Sequence, residues 1–353
     1  MTSFYLRPAH FVDTPVGHPD GTVARLAGGM LWFAAYDVIE DGLRRTVPVA
    51  DVATLGDHAQ VLHAAITAPR PALTLGDRTL RFDQPQVAGI LNVTPDSFSD
   101  GGAHLDDPDG AAAAATDMLA AGAALIDLGG ESTRPGAPLV WEEDEAKRVV
   151  PVVERLAASG ALVSIDTRKA LVMERALAGG ARIVNDVSAL LWDTRSLEVV
   201  AKAGCPVVLM HSPQPAKGPH GGDGYRDVVT EVFDWLETRI AAVVAGGVDR
   251  SRIIVDPGIG FGKTLADNLA LLNDLPIFHG LGCPIMLGVS RKRMIGALSN
   301  EAPATERLGG SIALAIKGVE AGVQLLRVHD VAETVQAIRV WRGLRDQALT
   351  RRS

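Results

Sequence analysis

From residue 87 onward the chain alternates short runs of aliphatic and β-branched residues with longer Ala- and Leu-rich stretches of helical period. Eight apolar runs occur, at residues 87–93, 124–128, 162–166, 182–186, 206–211, 253–256, 284–290 and 325–330. The clearest helical stretches between them span 141–158, 225–245, 305–321 and 331–345. The apolar runs do not alternate with polar residues, so they predict strands buried on both faces, as in a parallel sheet covered by helices. Eight βα units in about 260 residues predict an α/β fold of the closed (β/α)8 TIM barrel type. A doubly wound open sheet is the rival architecture, and the count of eight speaks against it.

Residues 1 to 80 precede the first barrel unit, and 81–353 form the expected barrel domain. The N-terminal region reads as strand over 29–36 and helix over 57–67, punctuated by Pro15, Pro48, Pro69 and Pro71. The run 26–39 is too apolar to lie in water as a linker. A small folded accessory region packed on the barrel is therefore expected, with a partner-binding arm as the second reading.

The 353 residues are 47% hydrophobic and 22% charged, which excludes a disordered chain. With 34 Lys plus Arg against 42 Asp plus Glu, a formal charge of -8 and no basic run, the sequence argues against a nucleic-acid partner. No stretch reaches the roughly eighteen uninterrupted apolar residues of a membrane-spanning helix, and residues 1–11 lack the pattern of a secretion signal. Cys205 and Cys283, the only cysteines, each precede a proline in an apolar stretch and suit reduced core thiols. A cytoplasmic protein is expected.

Active sites of such barrels sit at the C-terminal ends of the strands. Here the apolar runs end in Asn92, Asp127, Asp166, Asn185 with Asp186, His211, Asp256, Ser290, and His329 with Asp330. Any one of these alone reads equally well as a helix cap. Arg327, His329 and Lys292 cap poorly and lie among them, so the ring as a whole reads as a site. Three connections, 92–102, 129–136 and 256–263, are rich in Gly, Pro, Ser and Thr, the composition of loops that cover a ligand.

The first connection, Gly89-Ile-Leu-Asn-Val-Thr-Pro-Asp-Ser-Phe-Ser-Asp-Gly-Gly102, resembles the first signature of the dihydropteroate synthase family. The loop Gly129-Gly-Glu-Ser-Thr-Arg-Pro-Gly-Ala137 resembles the second. Ser164-Ile-Asp-Thr167, Asn185-Asp-Val187, Asp256-Pro-Gly258, Phe261-Gly-Lys263, Ser290-Arg-Lys292 and Arg327-Val-His-Asp330 follow in the family's order. The resemblance covers about residues 81–345 and is specific because the matches are joint. It implies an enzyme that condenses 6-hydroxymethyl-7,8-dihydropterin pyrophosphate with 4-aminobenzoate, yielding 7,8-dihydropteroate and pyrophosphate.

On that basis Asp166, Asn185 and Asp256 are expected to pair with the amide-like edge of a pterin. Lys292 would donate to its carbonyl or ring nitrogen, Arg327 would lie against the ring and also face phosphate, and Met210 would supply an adaptable wall. Asn92, Arg327 and His329 are expected at the pyrophosphate, with Mg²⁺ bridging phosphate oxygens and Asn92 as its candidate ligand. The helix beginning near Val331 would add backbone donors. The resemblance places the aminobenzoate among Thr133, Arg134, Pro135, Phe261, Ser290 and Lys292. If pyrophosphate departs first, the pterin methylene becomes a delocalised cation that the neutral arylamine attacks. No protein nucleophile is then required, so Asp127 and His329 are not read as an activating pair. The family also implies a homodimer through the barrel's last helices.

The chain departs from the family at Met210-His-Ser-Pro-Gln214, where a Gln-Gly pair is common after Met-His, and at Ile259, where an aromatic is frequent. Two other functions use the same barrel. Tetrahydrofolate-dependent methyltransferases share the Asp-Asn-Asp ring readers but do not need the whole 92–102 loop or Ser290-Arg-Lys292. A non-catalytic pterin-binding paralogue would have lost Arg327, His329 or the first loop.

Overall fold

The structure is a computed structural model that describes residues 4–94, 107–132, 137–217, 222 and 224–350. Its first strands, β1 (Phe4–Val12), β2 (Ala24–Arg25), β3 (Trp32–Glu40) and β4 (Leu43–Pro48), form an antiparallel sheet. Central β3 pairs with β1 on one side and with β2 and β4 on the other. β3 starts three residues later than the apolar run suggests because Gly28 adopts φ +66° and the Gly29 amide turns back to the Leu26 carbonyl. Pro8 is tolerated because β1 lies at the sheet edge. Helix α1 (Asp57–Thr67) buries Ala59, Leu62 and Ile66, a spacing of three and four that puts them on one face.

A hairpin of β5 (Leu73–Leu75) and β6 (Arg78–Leu80) follows, turned by Gly76-Asp77 with Gly76 at φ +64°. The barrel comprises β7 (Gln86–Asn92), β8 (Leu125–Gly129), β9 (Val163–Asp166), β10 (Ile183–Asp186), β11 (Val207–Met210), β12 (Ile253–Asp256), β13 (Met286–Gly288) and β14 (Leu325–Val328). These pair in parallel in the order β12-β11-β10-β9-β8-β7-β14-β13, and a bridge from Val255 to Ile285 joins the two ends. All eight strands expected from the sequence are present, so the rival open sheet is set aside. The helices are α2 (Pro108–Ala121), α3 (Glu142–Ala158), α4 (Ala170–Ala178), α5 (Ser196–Ala203), α6 (Val228–Ala245), α7 (Leu265–Asn273), α8 (Arg293–Leu298), α9 (Leu308–Glu320) and α10 (Val331–Thr350). Helix α6 begins later than its apolar pattern because Asp227 caps it, accepting from the Val229 and Thr230 amides.

The floor of the barrel is apolar and closed. Ala88, Leu125, Leu162, Ile183, Val208, Ile254, Met286 and Leu325, one from each barrel unit, share a buried cluster with Leu73, Leu75, Leu80 and Phe82. The β5–β6 hairpin thus covers the N-terminal ends of the strands. The remaining core is one cluster that runs from Phe33, Tyr36 and Ile66 of the N-terminal region to Phe233, Ile277 and Phe278 of the barrel.

Polar contacts reinforce that junction. The Tyr5 hydroxyl donates to Asp234 at 2.8 Å, Arg7 pairs with Asp274 at 2.7 Å, and Arg345 of α10 donates to Asp13 at 2.9 Å and to the Val12 carbonyl at 3.0 Å. Arg70 donates to the carbonyl of buried His279 at 3.0 Å. Both cysteines are free and buried, and burial pushes the Cys205 thiol up to about 11. Among the described residues no helix is long and apolar enough to cross a membrane.

Two outcomes are expected. Removing residues 1–69 uncovers the apolar surface around Phe233, Ile277 and Phe278. Solubility and melting temperature should fall more than the activity of each remaining folded molecule, as differential scanning fluorimetry and active-site titration would show. A barrel that melts as high as the full chain would exclude this docking role.

The second outcome concerns pH. Burial first, and the Arg70 charge second, push His279 down to about 3 in the folded chain, whereas an unfolded histidine titrates near 6.5. From about pH 6.5 downward the unfolded chain gains a proton that the folded one refuses, so this group's contribution is lost as pH falls, by about 1.4 kcal/mol per pH unit. Buried carboxylates such as Asp186, raised by desolvation, oppose the trend, so the prediction is a difference. Urea unfolding should show His279→Gln gaining on the parent chain between pH 6.5 and 5, while the carboxylates cancel.

Candidate active site

Side chains of a strand alternate between faces, so the floor residues fix which positions line the barrel interior. Two steps beyond the floor stand Asp127, Asn185, Met210, Asp256 and Arg327, and four steps beyond it Asn92, Asp166, Ser290 and His329. Every strand-borne residue expected at the site therefore falls on the inward parity. Asp186 falls on the opposite one. Its carboxylate accepts from the Ser188 amide and hydroxyl at 2.6 and 2.7 Å and from the Leu190 amide at 3.0 Å, which makes it the cap of a turn.

Arg327 occupies the centre of the mouth. Its Nε donates to Asp127 Oδ2 at 2.5 Å and its Nη2 to Asp166 Oδ2 at 2.5 Å, while the Asn185 amide donates to the same Asp127 oxygen at 3.0 Å. Burial works against the guanidinium charge, but Asp127 and Asp166 outweigh it and raise the Arg327 pKa. Desolvation raises Asp166 against the pull of Arg327, and the neighbouring Asp127 charge adds to the rise. Two carboxylates face one guanidinium, a setting that favours a ligand offering N–H donors.

The opposite side of the mouth is built by β12 and the turn after β13. Asp256 accepts from the Gly258 amide at 2.7 Å, and desolvation raises its pKa although Lys292 lies close enough to pull it down. Lys292 donates to the Ile259 carbonyl and lies over the Phe261 ring at 4.5 Å. Burial lowers its ammonium to about 8. The frequent aromatic of this loop is replaced by buried Ile259, whose backbone still receives Lys292.

Arg291, between Ser290 and Lys292, sits at φ +57°, a conformation that costs about 1–3 kcal/mol outside glycine unless neighbours hold it. Its guanidinium pairs with Asp330 at 2.5 and 3.1 Å, its amide donates to Ser311 at 2.9 Å, and its carbonyl accepts from Arg307 at 2.9 Å. This hold sends Ser290 to His329, whose Nδ1 lies 3.0 Å from the Ser290 hydroxyl. Asn92 ends β7 half-buried, and a Cβ on Gly129 would stand 3.3 Å from its Oδ1, so the glycine makes room for it.

Thr133, Arg134 and Pro135 lie outside the described residues, as does most of the 92–102 loop. The stems of the 129–141 connection are tied by an ion network. Lys169 donates to Glu131 at 2.9 Å, to Glu145 at 2.6 Å and to the Val140 carbonyl at 2.7 Å, and Arg168 pairs with Glu131 at 3.0 Å while lying over Trp192 at 3.9 Å. None of these residues was singled out by the sequence. Asp127 also escaped assignment although it stood in the polar ring, because alone it reads as a cap; its parity shared with Arg327 is the signal that finds it.

A closed parallel barrel whose mouth sets an arginine between carboxylates, with a carboxamide and a lysine beside them, defines a pterin-binding barrel enzyme. The model of the family described as pterin binding enzyme matches residues 88–329. Dihydropteroate synthase of Neisseria meningitidis serogroup B is 46% identical over 268 residues, 74% of this chain and 94% of that protein. The Xanthomonas albilineans dihydropteroate synthase solved with 4-aminobenzoic acid is 47% identical and superposes with a TM-score of 0.72, over 78% of this chain and 98% of that one. A structure of the same enzyme with 7,8-dihydropteroate gives 44% identity and a TM-score of 0.70 over the same shares. The chain belongs to the dihydropteroate synthase family and is a transferase.

Asp127→Asn keeps the shape of the side chain and removes one of two charges that hold Arg327. It is expected to lower dihydropteroate synthase kcat/KM by about 10- to 100-fold with the fold retained, the size of a lost charged hydrogen bond. Steady-state kinetics beside circular dichroism checks this; unchanged kinetics would remove Asp127 from the site.

Proposed function

We propose that the protein condenses 6-hydroxymethyl-7,8-dihydropterin pyrophosphate with 4-aminobenzoate to give 7,8-dihydropteroate and pyrophosphate. The observation that carries the reading is the Arg327 hub, with Asp127 and Asp166 on its two arms and Asn185 and Asp256 on the same inward face. In this reading Asp166, Asn185 and Asp256 pair with the donor and acceptor edge of the pterin. Lys292 donates to the ring carbonyl or nitrogen, Arg327 covers the ring, and buried Met210 forms an apolar wall.

The bond between the pterin methylene and the pyrophosphate oxygen breaks first, and its electron pair leaves with the pyrophosphate. The remaining cation is delocalised over the ring, and the neutral amine forms the new C–N bond and sheds a proton. Asn92, Arg327 and His329 hold the leaving group where negative charge grows. Donors at the start of α10, beside Val331, add to that field. The aminobenzoate is assigned to Phe261 and Ser290 together with Thr133, Arg134 and Pro135, the last three resting on the family resemblance of their loop.

Among the described residues no group of three or more His, Cys, Asp or Glu side chains can hold a metal. The neutral carboxamide oxygen of Asn92 fits Mg²⁺, which keeps most of its waters and takes phosphate oxygens as ligands. When bound, the ion would neutralise charge on the pyrophosphate. Residues 1–80 are assigned as an accessory region and 81–353 as the catalytic barrel, with the β5–β6 hairpin serving the barrel as its floor. A homodimer through the last helices is supported by the exposed Leu308 on α9 and Val340 and Leu344 on α10. The buried free thiols suit a cytoplasmic enzyme.

Mixing the protein with both substrates and Mg²⁺ is expected to release pyrophosphate and dihydropteroate. Arg327→Ala should lower that turnover by two or more orders of magnitude, about 3 kcal/mol, with the fold intact. Near-normal pyrophosphate release from the folded variant would exclude the assignment.

A further inference from the structure

Lys263 has no part in the chemistry above, yet its ammonium lies among four acceptors. It stands 2.9 Å from His211 Nδ1, 2.9 Å from the Gly258 carbonyl, 3.2 Å from the Phe261 carbonyl and 3.5 Å from the His211 carbonyl. An ammonium has three N–H donors, and the three shortest contacts use all of them. The loop it binds has little stiffness of its own. Gly258, Gly260 and Gly262 adopt φ of +70°, +83° and +56°, and a chain with three such glycines loses much entropy when it is fixed. Its first turn lies flat on β11, since a Cβ on Gly258 would come within 1.9 Å of the His211 carbonyl oxygen.

The far end of the same loop meets the site. The Ile259 carbonyl accepts from Lys292, and the Phe261 ring lies under the Lys292 ammonium. A Cβ on Gly260 would stand 3.0 Å from the Lys292 side chain, so the backbone is held against that lysine along its length. Apart from Lys263, Asp256 grips the Gly258 amide at 2.7 Å and Asn268 grips the Gly260 amide at 2.6 Å. Lys263 ties the Phe261 carbonyl to the end of β11, and the Phe261 amide donates to the Gly258 carbonyl at 3.2 Å.

We propose that Lys263 is a positioning residue for the arylamine: its ammonium pins the 256–263 loop to His211 and thereby fixes Phe261 against Lys292. The inference rests on the proposed synthase reaction for its kinetic consequence, but not for its geometry. It requires that His211 Nδ1 accept the hydrogen bond, so the neutral ring carries its proton on Nε2. Burial, and next the Lys263 charge, lower the His211 pKa and keep that ring neutral. Burial lowers the Lys263 ammonium to about 7, with Asp256 pulling it back up, so a sample at pH 6 holds the charged form. His211 also meets Trp235 edge to face at 5.0 Å, which holds the plane of the ring.

The test joins nitrogen-15 NMR of the histidines in the full-length protein at pH 6 with steady-state kinetics of Lys263→Met and Lys263→Gln. The expected spectrum shows His211 as the Nε2–H tautomer in the parent chain, with the signal displaced in both variants. Lys263→Met should raise KM for 4-aminobenzoate tenfold or more and KM for the pterin pyrophosphate less than threefold. Lys263→Gln, which keeps two N–H donors but no charge, should lie between it and the parent. In the double variant with Phe261→Ala the aminobenzoate KM should be no worse than in the poorer single variant. An Nδ1–H tautomer in the parent chain overturns the proposal, and so does an equal rise of both KM values. An unchanged aminobenzoate KM in a folded variant overturns it as well. If Lys263→Met fails to fold, Lys263→Gln and the tautomer decide. A parent chain that forms no dihydropteroate would sink the proposed reaction instead, and the tautomer would still decide the role of Lys263.

Discussion

The mouth of this barrel is governed by a charge that cannot be left alone. Arg327 projects from β14 into the barrel interior, where an uncompensated guanidinium would cost several kcal/mol. Asp127 from β8 and Asp166 from β9 compensate it, and Asn185 from β10 donates to the same Asp127 oxygen. Four strands are thereby locked to one another at their C-terminal ends by polar contacts, just as their N-terminal ends are locked by the apolar floor. Geometry and charge are coupled here: a change to one member removes a charge partner or a hydrogen bond from its neighbours.

The hub fixes the inner wall, and among the described residues the connections beside it have polar anchors of their own. The turn at 290–292 depends on the Arg291–Asp330 pair and on contacts from Arg307 and Ser311. The stems at Glu131 and Val140 depend on Lys169. These anchors sit behind the ligand-facing residues and cost stability wherever a backbone must be strained or a charge buried. These anchors explain how the turn at 290–292 is set accurately enough to place Lys292 and Ser290.

The barrel was legible because strands buried on both faces leave unbroken apolar runs, and their inward parity carried Asp166, Asn185, Asp256 and Arg327 into one ring. What stayed hidden depends on contacts across long separations. Asp127 and Asp186 look alike in the sequence, yet one meets Arg327 two hundred positions away and the other only caps its own turn. Strand β4 buries a single residue and β1 contains a proline, so neither carries a clean two-residue period. The β5–β6 hairpin had a readable signal in Gly76-Asp77 between Leu73-Thr-Leu75 and Arg78-Thr-Leu80, but its importance appears only once Phe82 and its neighbours are seen under the eight strands.

The sealed floor has a kinetic meaning. With Leu73, Leu75, Leu80 and Phe82 filling the N-terminal end, the barrel is a vessel with one door. In the proposed arrangement the ring readers Asp166, Asn185 and Asp256 lie on the strands themselves, while the arylamine contacts come from loops beyond them. A molecule seated over those loops would stand in the path of anything bound deeper. With both substrates seated as proposed, the pterin enters before the amine and the joined product leaves through the same opening. In that proposed arrangement the order of traffic follows from where each substrate sits.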